Sequence, residues 1–258
     1  MSTYFSPTLS ALAAFAGMLL MLELGRRVAL RRLARGDEAG KAGLSTLKAT
    51  IYGLTSLILA FSFAGAMSRF EERRQLILTE ANDIGTAYLR IDLLPDDAQP
   101  AIREHFRNYV DSRLAAYRML PDIAAALAEV ERSKALQKQI WDASVSASRR
   151  ASPGTPTMLV LSSLNEMFDI VTTRTVAAMS HPPTIIFAMI FALVLASAYV
   201  AGQDMAVPAK RNLLHHVSYA LVLAITIFVV LEIEFPRMGF IQIEAFDQLL
   251  VDVRNDMR

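Results

Sequence analysis

The chain has 258 residues, of which 53% are hydrophobic, and a formal net charge of +1 at pH 7. It has no cysteine, which excludes disulfide bonds, thiolate catalysis and cysteine metal sites. A net charge so close to zero gives no indication of a nucleic-acid partner. The class of the protein therefore depends on where the apolar residues lie along the chain.

Four long uncharged runs predict four transmembrane helices. A bilayer core about 30 Å thick requires roughly 20 helical residues, and each run is close to that length. We place the spans at approximately 8–25, 48–68, 183–203 and 214–233. A buried helix of a large soluble enzyme is the alternative for any one run, but four such runs favour a membrane protein.

The first span has the features of an uncleaved membrane anchor. A cleaved signal peptide carries basic residues before its apolar core, whereas here the basic residues follow the apolar run. Those residues are Arg26, Arg27, Arg31, Arg32 and Arg35.

Residues 69–181 lie between the second and third spans and predict a helical extramembrane domain. No proline occurs from Ala60 to Arg90, so we expect the second span to continue into this domain as one helix. Apolar residues in 101–120 recur near a period of 3.6, which predicts an amphipathic helix.

A second helix is predicted over residues 123–141, and a loop is expected at 146–157 because that stretch is small, polar and contains two prolines. We expect four apolar residues of this helix to face the core. They are Ile123, Leu127, Val130 and Leu136.

The predicted fold is all-α, without a convincing strand or repeat. Spans 1 and 2 lie in 1–68 and the helical extramembrane domain in 69–181. Spans 3 and 4 lie in 182–235, and residues 236–258 form a C-terminal amphipathic segment.

Lysine and arginine are more frequent in the two short loops between spans than near the spans on the other side. The positive-inside rule then puts both short loops in the cytoplasm and the helical domain and termini outside.

The second span carries small and apolar residues on one face. Gly53, Leu57, Phe61 and Gly65 follow one another at i, i+4 spacing. Such a face can pack closely against another helix of the same chain. Alternatively, symmetry-related copies surround a pore, and Leu57 and Phe61 form an apolar constriction that gates by dewetting.

Polar residues continue along the same helix and are candidates for a charged vestibule or for contacts between helices. They are Arg69, Glu72, Arg74, Glu80, Asn82 and Asp83. Asn82, Gly85 and Thr86 are poor helix formers, which suggests close contacts there, with a plain surface as the alternative. Asn165, Glu166 and Asp169 share one helical face and are candidates to hold the domain against Arg69 or Arg73.

Glu232, Glu234 and Arg237 surround the end of the fourth span. They are interpreted as a charge-capped helix end at the membrane interface, or as a ring at the mouth of a pore when several chains assemble.

No catalytic or metal-binding motif is present. The sequence contains no glycine-rich phosphate loop, GxSxG or HExxH, and its four histidines lie in dissimilar surroundings. We therefore expect no enzyme activity, no metal and no cofactor.

Several segments resemble the bestrophin-like family of bacterial membrane proteins. The segment GLTSLILAFSFAGAMSRFEERRQLILTEANDIGTAYLRIDLLP is similar to the family's signature, and SSLNEMFDIVTTR, HPPTII and LEIEFPRMGFIQIEAFDQLL are similar to its later motifs. The family name implies a more distant similarity to bestrophin channels, which are pentamers of four-span subunits whose second helix lines the pore.

The resemblance implies a pore neck at Gly53, Leu57 and Phe61, followed by Arg69, Glu72 and Arg74 at comparable offsets. The sequence departs from the channels in two respects: Gly53 has no bulky ring, and no cluster matches the calcium clasp of animal bestrophins. The termini and soluble part of bestrophins are cytoplasmic, opposite to the orientation that the charge count gives.

The expected function is a homo-oligomeric, and by resemblance pentameric, ion channel in the bacterial inner membrane. Its partners would be the lipid bilayer, further copies of the chain and inorganic ions, without nucleic acid. The alternative is a non-conducting membrane scaffold or sensor whose helical domain binds a partner protein or lipid.

Overall fold

The computed structural model describes residues 6–35, 41–119, 122–150, 154–206, 213–236, 239–241 and 244–257. These residues form eight α-helices and a short 3-10 turn (Ile91–Leu93), with no β-strand among them. The helices are α1 (Pro7–Ala34), α2 (Lys41–Arg90), α3 (Gln99–Arg118), α4 (Ile123–Arg150), α5 (Thr155–Met179), α6 (Thr184–Asp204), α7 (Leu213–Glu234) and α8 (Glu244–Asp256).

The described structure has four helical stretches long and apolar enough to cross a membrane, which confirms the predicted four-span, all-α fold. They lie in α1, α2, α6 and α7, and α5 leads directly into α6. The helix is interrupted at residues 180–183, because Pro182 and Pro183 cannot continue a hydrogen-bonded helix. The prediction of an unbroken helix through Ala60–Arg90 is also confirmed, since α2 runs for 50 residues.

The chain divides into two compact units. The membrane unit comprises Met1–Ser68 and His181–Phe240, and the helical unit comprises Arg69–Ser180 and Ile241–Arg258. The chain therefore passes between the units inside α2, at the break between α5 and α6, and again after Phe240.

In the membrane unit, glycines bring α1 and α6 into direct backbone contact. A Cβ atom on Gly25 would lie 2.0 Å from the carbonyl oxygen of Tyr199, and one on Gly202 would lie 2.0 Å from that of Leu22. Only glycine allows such an approach, which is how helices pack closely in lipid. Met18 and Leu22 fill the core beside this crossing.

The helical unit has its own apolar core, formed mainly by the C-terminal part of α2 with α3, α4 and α5. Phe106, Tyr109 and Ile140 are fully buried there. The C-terminal helix α8 is part of the same unit: Leu250 is buried, and Arg254 makes a bidentate ion pair with Asp111 at 2.8 and 3.0 Å.

The prediction for the inward face of α4 was wrong in the first half of that helix. Ile123 and Leu127 are more than half exposed, while Ala126 and Ser133 are buried with Leu136. Small residues allow α4 to approach its neighbour closely, and a search for large apolar residues does not find such a face.

The loop expected at 146–157 is shorter than predicted. Helix α4 continues to Arg150 and α5 begins at Thr155, so most of that stretch is helical in the structure. Its serines and alanines are compatible with a helix, and Ala147 and Ser148 are buried.

Candidate functional site

One face of α2 is exposed in the isolated chain along most of its length, and we call this face the α2 stripe. Its members recur every three or four residues, so at about 100° per residue they fall within a sector of roughly 80°. The stripe consists of Leu57, Phe61, Ala64, Ser68, Glu72, Gln75, Thr79, Asn82 and Thr86, all of them exposed.

The chemistry of the α2 stripe changes once along the helix. Its first three members are apolar, and Leu57 and Phe61 are 48% and 65% exposed. From Ser68 to Thr86 every member is polar, and Glu72 is the one ionisable residue among them. An apolar section is thus followed by a polar one that carries a single negative charge per chain.

The opposite face of α2 is buried, which fixes the rotation of the helix. In the membrane unit, Leu59 lies in the apolar core, and the buried Thr55 hydroxyl donates to the carbonyl oxygen of Leu193 on α6 at 3.4 Å. In the helical unit, Ile77 and Ile84 are buried on the corresponding face.

Three arginines of α2 near the start of the polar section point away from the α2 stripe. Arg73 is buried and donates to the carbonyl oxygens of Ala177 (3.1 Å) and Ser180 (2.9 Å), so it caps the C-terminus of α5. Arg74 donates to Glu71 at 2.7 Å, and Arg69 is half-buried. Glu72 therefore dominates the charge of the stripe itself.

A buried ionic cluster lies on the inner face of the helical unit. The Glu80 carboxylate is fully buried and accepts hydrogen bonds from Arg113 (2.7 and 3.4 Å) and from Arg174. The Tyr117 hydroxyl accepts a hydrogen bond from Arg113, and the guanidinium carbon of Arg174 lies 4.3 Å from the centre of the Tyr117 ring. One carboxylate thus joins α2, α3 and α5 through two cations.

The electrostatics of this cluster favour an ionised Glu80. Burial disfavours its charged form, but Arg174 and Arg113 outweigh that effect and hold the pKa of Glu80 below its usual range. The neighbouring Asp83 behaves oppositely, because partial burial and the charges of Glu166 and Glu80 raise its pKa.

Most of the remaining predicted residues are on the surface of the helical unit. Asn165, Glu166 and Asp169 are exposed on α5, and Ser162 donates to Glu166 at 3.3 Å. Asp83 is half-buried one residue after Asn82 of the α2 stripe.

The two glutamates at the end of α7 are buried within the membrane unit. Glu232 accepts a hydrogen bond from the backbone N–H of Phe240 at 2.6 Å, and Glu234 lies 2.8 Å from Nδ1 of His181. Glu232 thereby holds Phe240, which follows α7, and Glu234 holds His181, which precedes α6. Arg237 lies outside the described residues.

The structure therefore brings some of the predicted site residues together and separates others. Leu57, Phe61, Glu72 and Asn82 share the α2 stripe, and Gly53 lies at its edge with open space around it. Glu80 instead belongs to the buried cluster.

Sequence reasoning missed the partners of Glu80, although the sequence carries a signal for them. Arg113 follows Phe106 and Tyr109 at helical spacing, and Arg174 follows Met167 and Val171 in the same way. A charged residue in phase with a buried apolar face indicates a buried ion pair, because an isolated buried charge is too costly.

Comparisons with known proteins identify the fold. A variant of a bacterial bestrophin homolog from Klebsiella pneumoniae matches with a TM-score of 0.64 at 16% sequence identity, covering 94% of this chain and 98% of that chain. A second variant of a bestrophin homolog from this organism matches with a TM-score of 0.61 at 16% identity, covering 96% and 99%. A structure described only as that of a variant membrane protein matches with a TM-score of 0.60 at 16% identity, covering 94% of this chain and 99% of that chain.

No protein-family model and no curated protein sequence matches the chain. The similarity in structure nevertheless extends over nearly the whole chain, as does the resemblance of its sequence motifs. The chain is a multi-pass membrane protein with the fold of the bacterial bestrophin homologs.

Proposed function

We propose that the chain is the subunit of a homo-oligomeric ion channel in a bacterial inner membrane, with the α2 stripe lining the pore. The observation that carries this proposal is the coincidence of exposure and chemistry on one face of α2. The exposed face is apolar where α2 belongs to the membrane unit and polar where α2 continues into the helical unit, so one line of side chains would supply first the neck and then the vestibule of a pore.

The apolar section of the stripe would form the neck of the pore. Copies of Leu57 and Phe61 arranged around an axis make a narrow apolar ring, and such rings control conduction by excluding water when they are narrow. Gly53 at the edge of the stripe contributes no side chain, so Leu57 and Phe61 carry the constriction.

The polar section would form the vestibule. Hydroxyl and amide groups at Ser68, Gln75, Thr79 and Asn82 can replace part of the hydration shell of a passing ion. Glu72 adds one negative charge per subunit, which raises the local concentration of inorganic cations at the mouth of the neck.

Assembly into an oligomer follows from the same reasoning, since a single α2 cannot enclose a pore. The resemblance to bestrophin channels favours a pentamer. The partners of the chain are then the lipid bilayer, further copies of itself and inorganic ions.

The experiment is ion flux from liposomes that contain the purified protein, comparing the wild type with Leu57→Ala and Phe61→Ala. We expect both variants to conduct several-fold more, because each widens the apolar ring. Phe63→Ala is the matched control: it removes the same side chain from the same helix on a different face, and we expect it to leave the flux unchanged.

Folding of each variant is checked by thermal unfolding before flux is measured. Absence of flux from folded wild type and from both neck variants would contradict the channel and favour a membrane scaffold. Equal effects of Phe61→Ala and Phe63→Ala would contradict the assignment of the α2 stripe to the pore.

A further inference from the structure

The end of α1 carries an exposed group of three arginines that the proposed pore does not use. Arg31, Arg32 and Arg35 follow the apolar part of α1, and all three side chains are exposed. Among the residues that the structure describes, no carboxylate pairs with any of them, whereas Arg27 one turn earlier pairs with Glu23 at 2.8 Å.

The spacing of the three arginines brings their positive charges together on this turn. Arg31 and Arg35 are four residues apart, and Arg32 and Arg35 are three apart, so their charges are neighbours on the helix surface. Like charges at these spacings repel one another, while the dipole at the helix C-terminus favours each of them, so the turn concentrates positive charge. A bound anion would remove the repulsion.

The length of α1 puts this turn at the level of lipid headgroups. A helix of 28 residues is about 42 Å long, close to the full thickness of a bilayer with its headgroups. With the start of α1 at one surface of the bilayer, the last turn reaches the phosphate layer of the other surface.

The apolar residues around the arginines fit that position. Leu30 directly before the arginines and Leu33 between them are exposed, as is Leu24 nearly two turns earlier. Leucines beside arginines at a helix end suit the boundary between acyl chains and headgroups, where the apolar side chain enters the lipid and the guanidinium reaches the phosphate. In addition, Nε of Arg26 is buried without a hydrogen-bond partner among the described residues.

We propose that the last turn of α1 is a binding site for anionic phospholipid, in which Arg31, Arg32 and Arg35 hold the headgroup phosphate. Guanidinium groups bind phosphate in a bidentate manner, which gives the site geometric selectivity as well as charge. The positive-inside rule gives the same residues a part in orienting the nascent chain. Lipid binding by the folded protein is distinct from this role during membrane insertion, so it can be measured with purified protein.

The test measures lipid bound to purified full-length protein by native mass spectrometry, together with its thermal unfolding midpoint, in neutral detergent. Phosphatidylglycerol or phosphatidylcholine is added to the wild type and to R31Q/R32Q/R35Q. For the wild type we expect retained phosphatidylglycerol and a Tm raised by about 3 °C, the shift that lipid at a few times its Kd gives in a protein of this size. For the triple variant we expect at least tenfold weaker binding and no shift.

The variant R132Q/K134Q/K138Q is the matched control, since it removes three cations from α4 that each pair with a carboxylate. We expect it to bind phosphatidylglycerol like the wild type. Equal binding by R31Q/R32Q/R35Q and the wild type would overturn the proposal, as would an equal Tm shift with phosphatidylcholine.

A further arm separates a lipid from a soluble ligand with the same chemistry. Inorganic phosphate at millimolar concentration is added without lipid, and we expect no shift in Tm. A shift equal to that of phosphatidylglycerol would overturn the assignment to lipid. None of these readouts requires ion flux, so the outcome does not depend on the proposed channel.

Discussion

Glu80 lies between two buried guanidinium groups, and its charge keeps both of them compensated. Replacing it by glutamine retains the shape of the side chain but leaves Arg113 and Arg174 as uncompensated buried charges. Breaking a buried ion pair in this way typically costs about 3–5 kcal/mol of folding free energy. We therefore expect Glu80→Gln to lower the Tm of the helical unit strongly in thermal unfolding.

Glu131→Gln is the control for this substitution. Glu131 is exposed on α4 and pairs with an exposed lysine, Lys134, at 2.7 Å. Surface pairs of this kind contribute little, so its Tm should stay at the wild-type value. A Glu80→Gln variant with the Tm of the wild type would show that the ionic cluster of Glu80, Arg113 and Arg174 does not determine stability.

The same residue makes stability depend on pH. The pKa of Glu80 is lowered in the folded protein relative to an unfolded value of about 4.3. Its stabilising contribution is therefore complete above the unfolded pKa and is lost as pH falls through the folded pKa. The wild type should lose more stability than Glu80→Gln when Tm is measured from pH 6 down to pH 3.

The raised pKa of Asp83 acts in the opposite sense, since its ionised form is disfavoured in the folded state. Its contribution is present at low pH and declines as pH rises through its folded pKa. Comparing Asp83→Asn with the wild type over the same pH series separates the two effects. Identical pH profiles for the wild type and Glu80→Gln would contradict an ionised Glu80.

Glu72 is the residue whose charge the proposed pore exposes to ions. Glu72→Gln removes that charge from the α2 stripe without changing the size of the side chain. We expect a several-fold drop in permeability of cations relative to anions, measured as a shift of reversal potential in a bilayer under a salt gradient. The shift should shrink at high ionic strength, because salt screens an exposed charge.

Glu104→Gln provides the comparison, since Glu104 is exposed on α3 and pairs with Arg107. It removes the same charge from a different helix and should leave the reversal potential unchanged. Equal shifts from both variants would indicate an effect of net charge and would argue against a position of Glu72 in the pore.

At the scale of the elements, the contact between α1 and α6 gives a direct prediction. Gly202→Ala would bring a methyl group to 2.0 Å from the carbonyl oxygen of Leu22, so the helices must separate. Overpacking of this kind commonly costs about 1–3 kcal/mol. We expect a lower Tm and a smaller folded fraction for this variant in detergent.

Gly53→Ala is its matched control, because nothing lies within 4 Å of the position that the new methyl group would occupy. The same substitution in another membrane helix should then leave the Tm unchanged or raise it slightly, since alanine favours a helix over glycine. A Gly202→Ala variant with the same Tm as Gly53→Ala would show that α1 and α6 can separate without loss of stability.

At the scale of the whole molecule, the absence of cysteine from the sequence allows single thiols to be placed without background. Ala64→Cys and Ser68→Cys put a thiol on the α2 stripe, and Val222→Cys puts one on an exposed position of α7. In liposomes, a charged, water-soluble thiol reagent should reach the first two positions and block flux. The thiol at Val222 should face lipid and remain unlabelled.

Labelling of Val222→Cys at the same rate as Ser68→Cys would contradict this arrangement. The reagent must carry a permanent charge, because a neutral reagent also enters the membrane. Flux that continues after complete labelling at Ala64 and Ser68 would also contradict a pore along the stripe.

The fold was predictable from sequence because its main signals are local. Four uncharged runs locate the membrane helices, and a proline-free stretch predicts the continuity of α2 into the helical unit. The inward face of α4 was not predictable by the same rule, since small residues such as Ala126 and Ser133 make up much of it. Their burial depends on a neighbouring helix, which periodicity along one helix does not reveal.

The candidate site was predictable in part for a similar reason. Leu57, Phe61 and Glu72 share a face because helical geometry alone relates them, and their spacing is visible in the sequence. The partners of Glu80 come from α3 and α5, which are far away along the chain. Pairing between distant segments requires the tertiary structure.

The repeat length of the α2 stripe has a consequence for how copies of α2 can associate. Leu57 and Thr86 are 29 residues apart, and the exposed positions between them complete eight turns, or about 3.6 residues per turn. That value is the natural period of the α-helix, whereas a 3.5-residue repeat makes helices wind around one another with a left-handed superhelical twist. Copies of α2 around a common axis would therefore line it without supercoiling. Each copy would keep the same line of side chains directed at the axis over about 44 Å of helix.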